Sequence, residues 1–348
     1  MLLPSFKVSL MNPSLFAIVL AAGKGTRMKS AKAKVLHEVF FRPMIDHVLN
    51  AVTSADIDQC AVIVGHQREE VARALQGFSV TTVVQEEQLG TGHAVLCAEP
   101  ACASAQQVMI LCGDTPLIQA ETLKAMIDAH RQQQASLTLM TTKVDEPFGY
   151  GRILTSDTGK VIAIVEEKDA DPTQRAIQEI NAGIYLVEKD FLFTALRQVG
   201  TDNSQGEVYL TDIVAIANRL GLTASKFFHP QAIDVLGVNS RVELAQAHAT
   251  LQARRNREIM LAGVTLYDPS STLIAPGCVI GQDTVVSAQV QISGATTIGR
   301  DCLIEPGCFL HDCSLGDGVT VGANAVLKQC AVPKSGSIAP LTYRCDKS

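Results

Sequence analysis

A glycine-rich segment with cations around it is the part of the sequence that most clearly predicts chemistry. Residues 20–28 read LAAGKGTRM and directly follow an apolar run. Gly23 and Gly25 allow backbone N–H groups to approach an anion closely, which a Cβ would obstruct. The Arg27 guanidinium can bind two phosphate oxygens at once. Four lysines add positive charge nearby: Lys24, Lys29, Lys32 and Lys34. The segment is neither a Walker loop nor a GxGxxG loop, so we expect a different phosphate site, with a solvated basic turn as the alternative.

Two polar residues lie at or just beyond the ends of other apolar runs. Asp114 follows residues 108–112, where a carboxylate is costly unless it binds something. The alternative for Asp114 is the N-cap of the next helix. Gln85 ends the run at residues 80–85, and its amide offers both a donor and an acceptor. The alternative for Gln85 is a polar strand end.

The periodicity of the first two thirds of the chain predicts alternating strands and helices. The expected strands are residues 16–22, 60–65, 80–85 and 108–112, and the expected helices are residues 43–55, 67–75, 92–98 and 122–133. This alternation is typical of an α/β domain with a mostly parallel sheet and helices on both faces. Ligands bind such sheets beyond the carboxyl ends of the strands, so we expect a site in the loops after Ala22, Gln85 and Cys112.

A different repeat begins after a predicted connecting helix at residues 241–261. Aliphatic residues recur every six positions, slip by one at Leu315, and then resume: Ile274, Ile280, Val286, Ile292, Ile298, Ile304, Leu310, Leu315, Val321 and Leu327. A six-residue period predicts one flat face per repeat and a parallel β-helix of three to four coils. The expected organisation is an N-terminal extension (1–14), an α/β domain (15–240), a connecting helix (241–262) and a short left-handed parallel β-helix (263–348).

Composition excludes several classes of protein. The chain has 348 residues, a formal net charge of −6 and 47% hydrophobic residues, which argues against disorder and against coating nucleic acid or an anionic membrane. No apolar run approaches the ~18–20 residues that a membrane span requires. The ten cysteines form no CxxC pair, so free thiols are expected rather than a zinc ribbon. The first residues do not read as a signal peptide, Met11 is an alternative start, and a cytoplasmic location is expected.

Taken in order, these motifs resemble those of the sugar-nucleotide pyrophosphorylases. After residues 20–28 come Lys34 with VLH, Gln85, and the segments QLGTGHA (88–94), GD (113–114), GYGR (149–152), VEEKD (165–169), EINAG (179–183) and YLTD (209–212). Together with the hexapeptide tail they are similar to the bacterial N-acetylglucosamine-1-phosphate uridyltransferases. The resemblance covers about residues 16–261 and implies that UTP and a sugar 1-phosphate give pyrophosphate and a UDP-sugar. The UDP-sugar would be a precursor for cell-wall peptidoglycan.

The resemblance also implies roles for individual residues on the nucleotide side. The backbone of four residues would hold the nucleotide: Leu20, Ala21, Ala22 and Gly23. The side chains of Arg27 and Lys24 would contact the triphosphate, and Lys34 would contact the phosphates at the reacting centre. Gln85, Gly90 and Thr91 would contact uracil, with His93 supporting their loop.

For the metal and the sugar, the resemblance implies a second group of residues. Asp114 and Asn239 would bind Mg²⁺, whose preference for oxygen ligands suits a carboxylate and an amide. The sugar would contact Gly151, Glu166, Asn181, Tyr209 and Thr211, with space for an N-acetyl group beside Gly183. Gly113 and Asn239 would also contact substrate. Cys112 precedes Gly113 where the family often has an aromatic residue, so only the backbone of Cys112 is expected to contact substrate.

The tail departs from the family pattern. Relatives in the resembled family extend the β-helix, form trimers and carry an acetyltransferase that uses acetyl-CoA. Here Pro340 in APLTYR (339–344) stands where the family has a histidine base, and proline cannot accept a proton, so we expect acetyl transfer to be absent. A short β-helix leaves an open end that usually needs a cap or a partner, so we also expect the tail to form a homo-oligomer, a trimer in particular. Two alternatives stay open: a nucleotidyltransferase of this fold for another sugar or base, and a hexapeptide protein with a degenerate catalytic domain that only binds.

Overall fold

The structure, a computed structural model, describes residues 14–346 and forms two compact units. The first contains residues up to Glu38 and Arg42–Arg241, and the second contains Val39–Phe41 and the residues from Val242 onward. Residues 242–261 of the predicted connecting helix belong to the second unit. Almost all of the expected N-terminal extension, including Met11, lies outside the described residues.

The first 240 residues contain a series of strands and helices in which the predicted alternation is recognisable. The strands are β1 (Leu15–Leu20), β2 (Glu38–Val39), β3 (Arg42–Pro43), β4 (Gln59–Val64), β5 (Thr81–Val84), β6 (Gln107–Cys112), β7 (Leu137–Lys143), β8 (Arg152–Thr155), β9 (Val161–Val165), β10 (Glu179–Glu188) and β11 (Ala224–Phe228). The helices are α1 (Met44–Ser54), α2 (Arg68–Ala74), α3 (Thr91–Cys97), α4 (Ala120–Gln132), α5 (Pro172–Arg175), α6 (Lys189–Leu196) and α7 (Ile213–Arg219).

One sheet organises this unit, in the order β11-β7-β10-β6-β1-β4-β5, with the hairpin of β8 and β9 attached to β10. Strands β6, β1, β4 and β5 are parallel, and β11 is parallel to β7. Strand β10 runs antiparallel to β6, β7 and β8. The sheet is therefore mostly parallel around β1, which confirms the predicted fold class and places the carboxyl ends of β1, β4, β5 and β6 at one edge.

Strand β1 is buried on both of its faces. Phe16 and Ile18 belong to one hydrophobic cluster, and Ala17 and Val19 belong to the cluster on the opposite side of the sheet. The same division holds along β6, where successive side chains enter opposite clusters. A continuous apolar run is the sequence pattern of such a strand, because neither face is in contact with water. The two cores fix the strand ends from which the site loops leave.

The second unit begins with helix α8 (Arg241–Leu261), which has the predicted bounds, and continues as a left-handed parallel β-helix. Its strands are β12 (Thr265–Leu266), β13 (Leu273–Ile274), β14 (Val279–Ile280), β15 (Val285–Val286), β16 (Gln291–Ser293), β17 (Thr297–Ile298), β18 (Leu303–Ile304), β19 (Phe309–His311), β20 (Ser314–Leu315), β21 (Thr320–Val321), β22 (Val326–Lys328), β23 (Ala331–Val332), β24 (Ser337–Ile338) and β25 (Tyr343–Cys345). In the described residues they stack into three sheets of five, five and four strands, all within the residues 263–348 that the sequence assigns to the β-helix.

The aliphatic repeat forms the core of the coils. Every aliphatic residue of the predicted series is buried. Leu273 pairs with Gln291, eighteen residues later, whereas Phe309 pairs with Val326, only seventeen residues later. The shorter coil explains the slip in phase at Leu315, because one turn there uses five residues instead of six. Cysteines also pack in this core, and none of the ten cysteines, all of which lie among residues 14–346, forms a disulfide, as predicted.

Among residues 14–346, no helix is both long enough and apolar enough to cross a membrane.

Candidate nucleotide and sugar-phosphate site

A cavity of about 400 Å³ lies at the carboxyl edge of the sheet in the first unit. Most of the residues expected to bind the nucleotide and the metal line it: Leu20, Ala21, Ala22, Gly23, Arg27, Lys34, Gln85, Gly90, Thr91, Cys112, Asp114 and Asn239. Backbone hydrogen bonds hold the strand ends together at this edge, because Ala21 N donates to Ile63 O and Gly113 N donates to Leu20 O, both at 2.9 Å. The loops after β1, β5 and β6 therefore meet in one concave site.

The glycine-rich loop turns sharply at Gly25. This residue has a φ of +59°, and a Cβ placed on it would lie 2.6 Å from Lys34 Cβ. The following residues form a short 3₁₀ helix, Thr26–Met28, anchored by Met28, which is fully buried. Glycine is therefore required at this position for two reasons: the backbone is left-handed, and the Lys34 side chain leaves no room for a Cβ.

Lys34 joins the two residues expected to bind the metal. Its Nζ forms a salt bridge with Asp114 Oδ2 and donates a 2.7 Å hydrogen bond to Asn239 Oδ1. Arg27 Nη2 donates to the same Asn239 oxygen at 2.7 Å. Asp114 and Asn239, far apart in sequence, thus place their oxygens around one ammonium group. The side chains of Lys34 and Asp114 are mostly shielded, with 13% and 19% of their surface exposed.

The segment that contains Asn239 is fixed to the Asp114 backbone. Val238 N donates to Asp114 O at 2.8 Å, and Asn239 Nδ2 donates to Gly237 O at 2.8 Å. A Cβ on Gly237 would lie 3.2 Å from both carboxylate oxygens of Asp114. Helix α4 begins six residues after Asp114, with Gln119 at its N-cap position. Asp114 is therefore not a helix cap, and its carboxylate faces the cavity.

The loop after β5 is built around Gln85. This residue is buried, and its Nε2 lies 3.1 Å from both Gly90 O and His93 Nδ1. Gly90 has a φ of +109°, and a Cβ there would lie 2.6 Å from Val208 O. His93 thus contacts Gln85 and supports the loop, and Gly90 permits the close approach of the neighbouring segment.

Replacing Gly90 by alanine should weaken UTP binding, and Gly77 offers a matched control. Both glycines have a φ of +109°, but a Cβ on Gly77 meets nothing within 4 Å. Backbone strain of about 1–3 kcal/mol is common to both variants, so only Gly90→Ala should also displace the loop. We expect Gly90→Ala to raise the KM for UTP about tenfold and Gly77→Ala to leave it unchanged, measured with thermal unfolding in parallel. Equal KM values for the two variants would contradict this role.

The residues expected to contact the sugar form a second group beside the cavity. Thr211 Oγ1 donates to Glu166 Oε1 at 3.1 Å, and Asn181 N donates to Gly151 O at 2.9 Å. A Cβ on Gly151 would lie 3.5 Å from Glu166 Oε1, so these residues are close neighbours. Burial raises the pKa of Glu166, and the hydrogen bond from Thr211 partly offsets this increase. Tyr209 is buried just before the 3₁₀ helix Leu210–Asp212.

Cys112 lies between the two groups. It lines the cavity, its Sγ lies 3.7 Å from Gly183 O, and burial raises the pKa of its thiol to about 12. The thiol is therefore neutral at ordinary pH. Asn181 uses its side chain within the protein, since Nδ2 donates to Tyr185 Oη at 2.6 Å and Oδ1 accepts from Gly183 N at 3.0 Å.

The structure does not bring every expected residue to the cavity wall. Lys24 is exposed and is not among the lining residues, and the residues of the sugar group, Gly151, Glu166, Asn181, Tyr209 and Thr211, lie outside the lining, as does Gly113. Gly25, singled out in the sequence for its backbone, lines the cavity, and five further lining residues were given no individual role: Thr26, Val35, Gln88, Ala94 and Glu207. Gln88 Nε2 donates to Ala22 O at 2.9 Å. Its place in the QLGTGHA motif was the available signal, whereas Glu207 had none.

Comparison with known proteins agrees with this geometry. Residues 17–181 match the family described as MobA-like NTP transferase domain, and residues 295–329 match bacterial transferase hexapeptide repeats. The chain is 51% identical over 322 residues to a protein of Desulfotalea psychrophila called bifunctional protein GlmU, covering 92% of this chain and 95% of that protein. Proteins of the same name from Pelobacter propionicus and Geotalea uraniireducens are each 45% identical, over 94% and 95% of this chain and 72% and 73% of their own lengths.

These matches confirm the resemblance and leave one expectation without support. Because the relatives are called bifunctional, they do not support the expected absence of acetyl transfer, which stays a prediction based on Pro340. The nucleotidyltransferase fold and the matches across nearly the whole chain point to the same enzyme class. The chain belongs to the GlmU family of bacterial N-acetylglucosamine-1-phosphate uridyltransferases, and it is a nucleotidyltransferase that makes a UDP-sugar from a sugar 1-phosphate.

Proposed function

We propose that the enzyme transfers the uridylyl group of UTP to N-acetylglucosamine 1-phosphate, releasing pyrophosphate, with Mg²⁺ as cofactor. The proposal rests on one observation: the side-chain oxygens of Asp114 and Asn239 both contact Lys34 Nζ. This contact lies in the cavity that Gln85 and Gly90 also line. A cationic group held between two oxygens at the end of β6 suits a reaction in which a highly charged triphosphate must be neutralised.

The residues present suit a magnesium ion. Asp114 and Asn239 supply a carboxylate oxygen and an amide oxygen that already converge on a positive charge. Within residues 14–346 no cluster of three or more His, Cys, Asp or Glu side chains could hold a metal. A site with few protein ligands, completed by phosphate and water, is typical of Mg²⁺. When bound there, the ion would neutralise charge on the phosphates.

The protein's own side chains would position the reactants. In the proposed reaction, the sugar phosphate oxygen attacks the α-phosphorus of UTP in line with the bond to pyrophosphate, which breaks. Arg27 and Lys34 would bind the phosphate oxygens and stabilise the charge that develops on the pyrophosphate. Uridylyl transfer of this kind needs alignment and charge neutralisation more than proton transfer.

Gln85 accounts for a preference for uracil. Its amide nitrogen contacts Gly90 O and His93 Nδ1, so its carbonyl oxygen would accept a hydrogen bond from the base. Uracil has a donor at N3 where cytosine has an acceptor, so the same amide would disfavour CTP. On the sugar side, Glu166, Asn181 and Thr211 would surround the ring, with Gly151 giving room.

Two further parts of the proposal concern the state and location of the enzyme. Hexapeptide repeats suggest an oligomer, and we propose a homotrimer in which the outward side chains of the β-helix, such as Val279 and Tyr343, which are 63% and 69% exposed, become covered. A trimeric mass by light scattering would support this, and a monomeric mass at micromolar concentration would contradict it. A cytoplasmic location is proposed because the substrates are cytoplasmic metabolites in the resembled family.

The test is a pyrophosphate-release assay that crosses four nucleoside triphosphates with a panel of sugar 1-phosphates, each with and without Mg²⁺. We expect the highest kcat/KM for UTP with N-acetylglucosamine 1-phosphate and no release without a divalent cation. A higher value for glucose 1-phosphate or dTTP would favour the alternative of another sugar or base. The absence of release with every pair would favour the degenerate binding protein.

A further inference from the structure

Two charged residues in the sequence motifs have no role in the proposed reaction. Arg152 ends the GYGR motif and begins β8, and Glu167 follows Glu166 in the VEEKD motif. Arg152 is only 2% exposed, one of the largest fully buried side chains in the described residues. A buried guanidinium is costly to desolvate unless its hydrogen bonds are made. Its partners therefore show what the residue does.

The Arg152 side chain bonds to three separate segments. Its Nη2 donates to Glu167 Oε2 at 2.7 Å, its Nε donates to Arg175 O at 3.4 Å, and its Nη1 donates to Tyr150 O. The Glu167 oxygen that receives Arg152 also accepts Gly149 N–H at 3.1 Å. Burial works to raise the pKa of Glu167, but the Arg152 and Gly149 hydrogen bonds leave it below the usual value. Glu167 is therefore held as a carboxylate between the guanidinium and the loop.

The pair is not needed to join β8 to β9. Backbone pairing already aligns these strands, with Arg152 opposite Val165 and Ile153 opposite Ile164. The side-chain contacts instead reach backward, to Gly149 and Tyr150, in the loop that precedes β8. This loop leads into Gly151, whose carbonyl accepts Asn181 N. The Arg152–Glu167 pair thus fixes a loop that contributes to the sugar group, next to Glu166.

We propose that Arg152 and Glu167 are positioning residues for the sugar phosphate, which set the place of the Gly149–Gly151 loop relative to Glu166 and Asn181. The inference rests on the proposed function, because it assumes that this group contacts the sugar. Neither residue needs to touch substrate. Arg27 lies beside the same loop, since a Cβ on Gly149 would lie 3.6 Å from Arg27 Nη1. Its own hydrogen bond, however, is to Asn239 at 2.7 Å, so UTP binding should depend much less on the pair than binding of the sugar phosphate does.

The test compares Glu167→Ala, Glu167→Gln and the control Glu146→Ala, which removes an exposed carboxylate from the same loop region. Glu167→Ala removes the carboxylate oxygen that Arg152 and Gly149 N–H share, so the KM for the sugar phosphate should rise about tenfold or more. Glu167→Gln keeps an acceptor of similar shape and should raise that KM only about threefold, since charge-assisted hydrogen bonds are roughly twice as strong as neutral ones. The KM for UTP should stay within about twofold of the wild type, and Glu146→Ala should match the wild type.

Thermal unfolding measurements identify any variant that does not fold. If Glu167→Ala does not fold, the KM values of Glu167→Gln test the proposal instead. The proposal is overturned if folded variants keep the wild-type KM for the sugar phosphate, or if the KM values for both substrates rise equally. A wild-type enzyme that forms no UDP-sugar would instead refute the proposed function, and the inference with it. An active wild type with an unaffected Glu167 variant refutes the inference alone.

Discussion

Replacing Asp114 by alanine is expected to lower kcat for pyrophosphate release by about 10²- to 10³-fold, the size of effect seen when one preorganised electrostatic group is removed from an active site. Asp114 is the carboxylate that contacts Lys34 Nζ and lies against Gly237 at the end of β6. Its loss removes both the negative charge that would attract a cation and the ion-pair partner of Lys34. The protein should stay folded, because Lys34 keeps its 2.7 Å hydrogen bond to Asn239 Oδ1.

The experiment measures pyrophosphate release with UTP and N-acetylglucosamine 1-phosphate over a Mg²⁺ titration. Asp157→Ala, which removes an exposed carboxylate from the turn between β8 and β9, is the matched control and should behave as the wild type. Asn239→Ala should have a smaller effect than Asp114→Ala, because a neutral oxygen contributes less to cation binding than a carboxylate does. Release by Asp114→Ala within threefold of the wild type at every Mg²⁺ concentration would refute the catalytic role.

The strands that position this site could be predicted because their burial leaves a local signal. Residues 108–112 are apolar at every position, and the structure shows why, since Met109 and Leu111 enter one core while Val108 and Ile110 enter the other. The predicted bounds differ from the observed ones by one or two residues. Strand β1 ends at Leu20 instead of Ala22, because the backbone leaves the sheet there to line the cavity.

Long-range partners were not predictable in the same way. Strand β10 contains the EINAG motif, but no local periodicity shows that it runs antiparallel between β6 and β7. The burial of Arg152 depends on Glu167 and on the carbonyl of Arg175, which only the folded chain brings together. The cluster of basic residues likewise did not reveal which of its side chains would face the cavity. Five cations follow the first strand, yet only Arg27 and Lys34 among them line the cavity, and Lys24, Lys29 and Lys32 are exposed.

More of the β-helix than of the α/β unit could be predicted from the sequence. Each coil repeats the same local requirement, an aliphatic side chain pointing inward every sixth residue, so the period and even its slip at Leu315 are visible in the sequence. The predicted three to four coils were too few for the observed stack of five, five and four strands in the described residues, because the terminal coils depart from the repeat. Arg344, for example, stands opposite Leu327, at a position that is aliphatic in the coils before it. Terminal repeats of such proteins are commonly atypical.

Replacing Gly25 by alanine should lower kcat/KM for UTP by about tenfold or more, through Lys34 and not through the backbone alone. A Cβ on Gly25 would lie 2.6 Å from Lys34 Cβ and 3.2 Å from its Cγ, closer than such atoms pack, so the base of the lysine side chain must shift. Lys34 Nζ would then lose its place between Asp114 and Asn239. Positioning errors of about 1 Å in a reacting group can cost about 100-fold in rate.

Gly221 provides the control that separates strain from displacement. Its φ is +71°, close to the +59° of Gly25, but a Cβ there meets nothing within 4 Å. Alanine in the left-handed region costs about 1 kcal/mol at either site, so both variants should lose a similar amount of thermal stability from strain, with a further loss for Gly25→Ala. Only Gly25→Ala should lose activity at a temperature where both are folded. Equal kcat/KM values for the two variants would show that Lys34 tolerates the added methyl group, and the close approach at Gly25 would then have no catalytic importance.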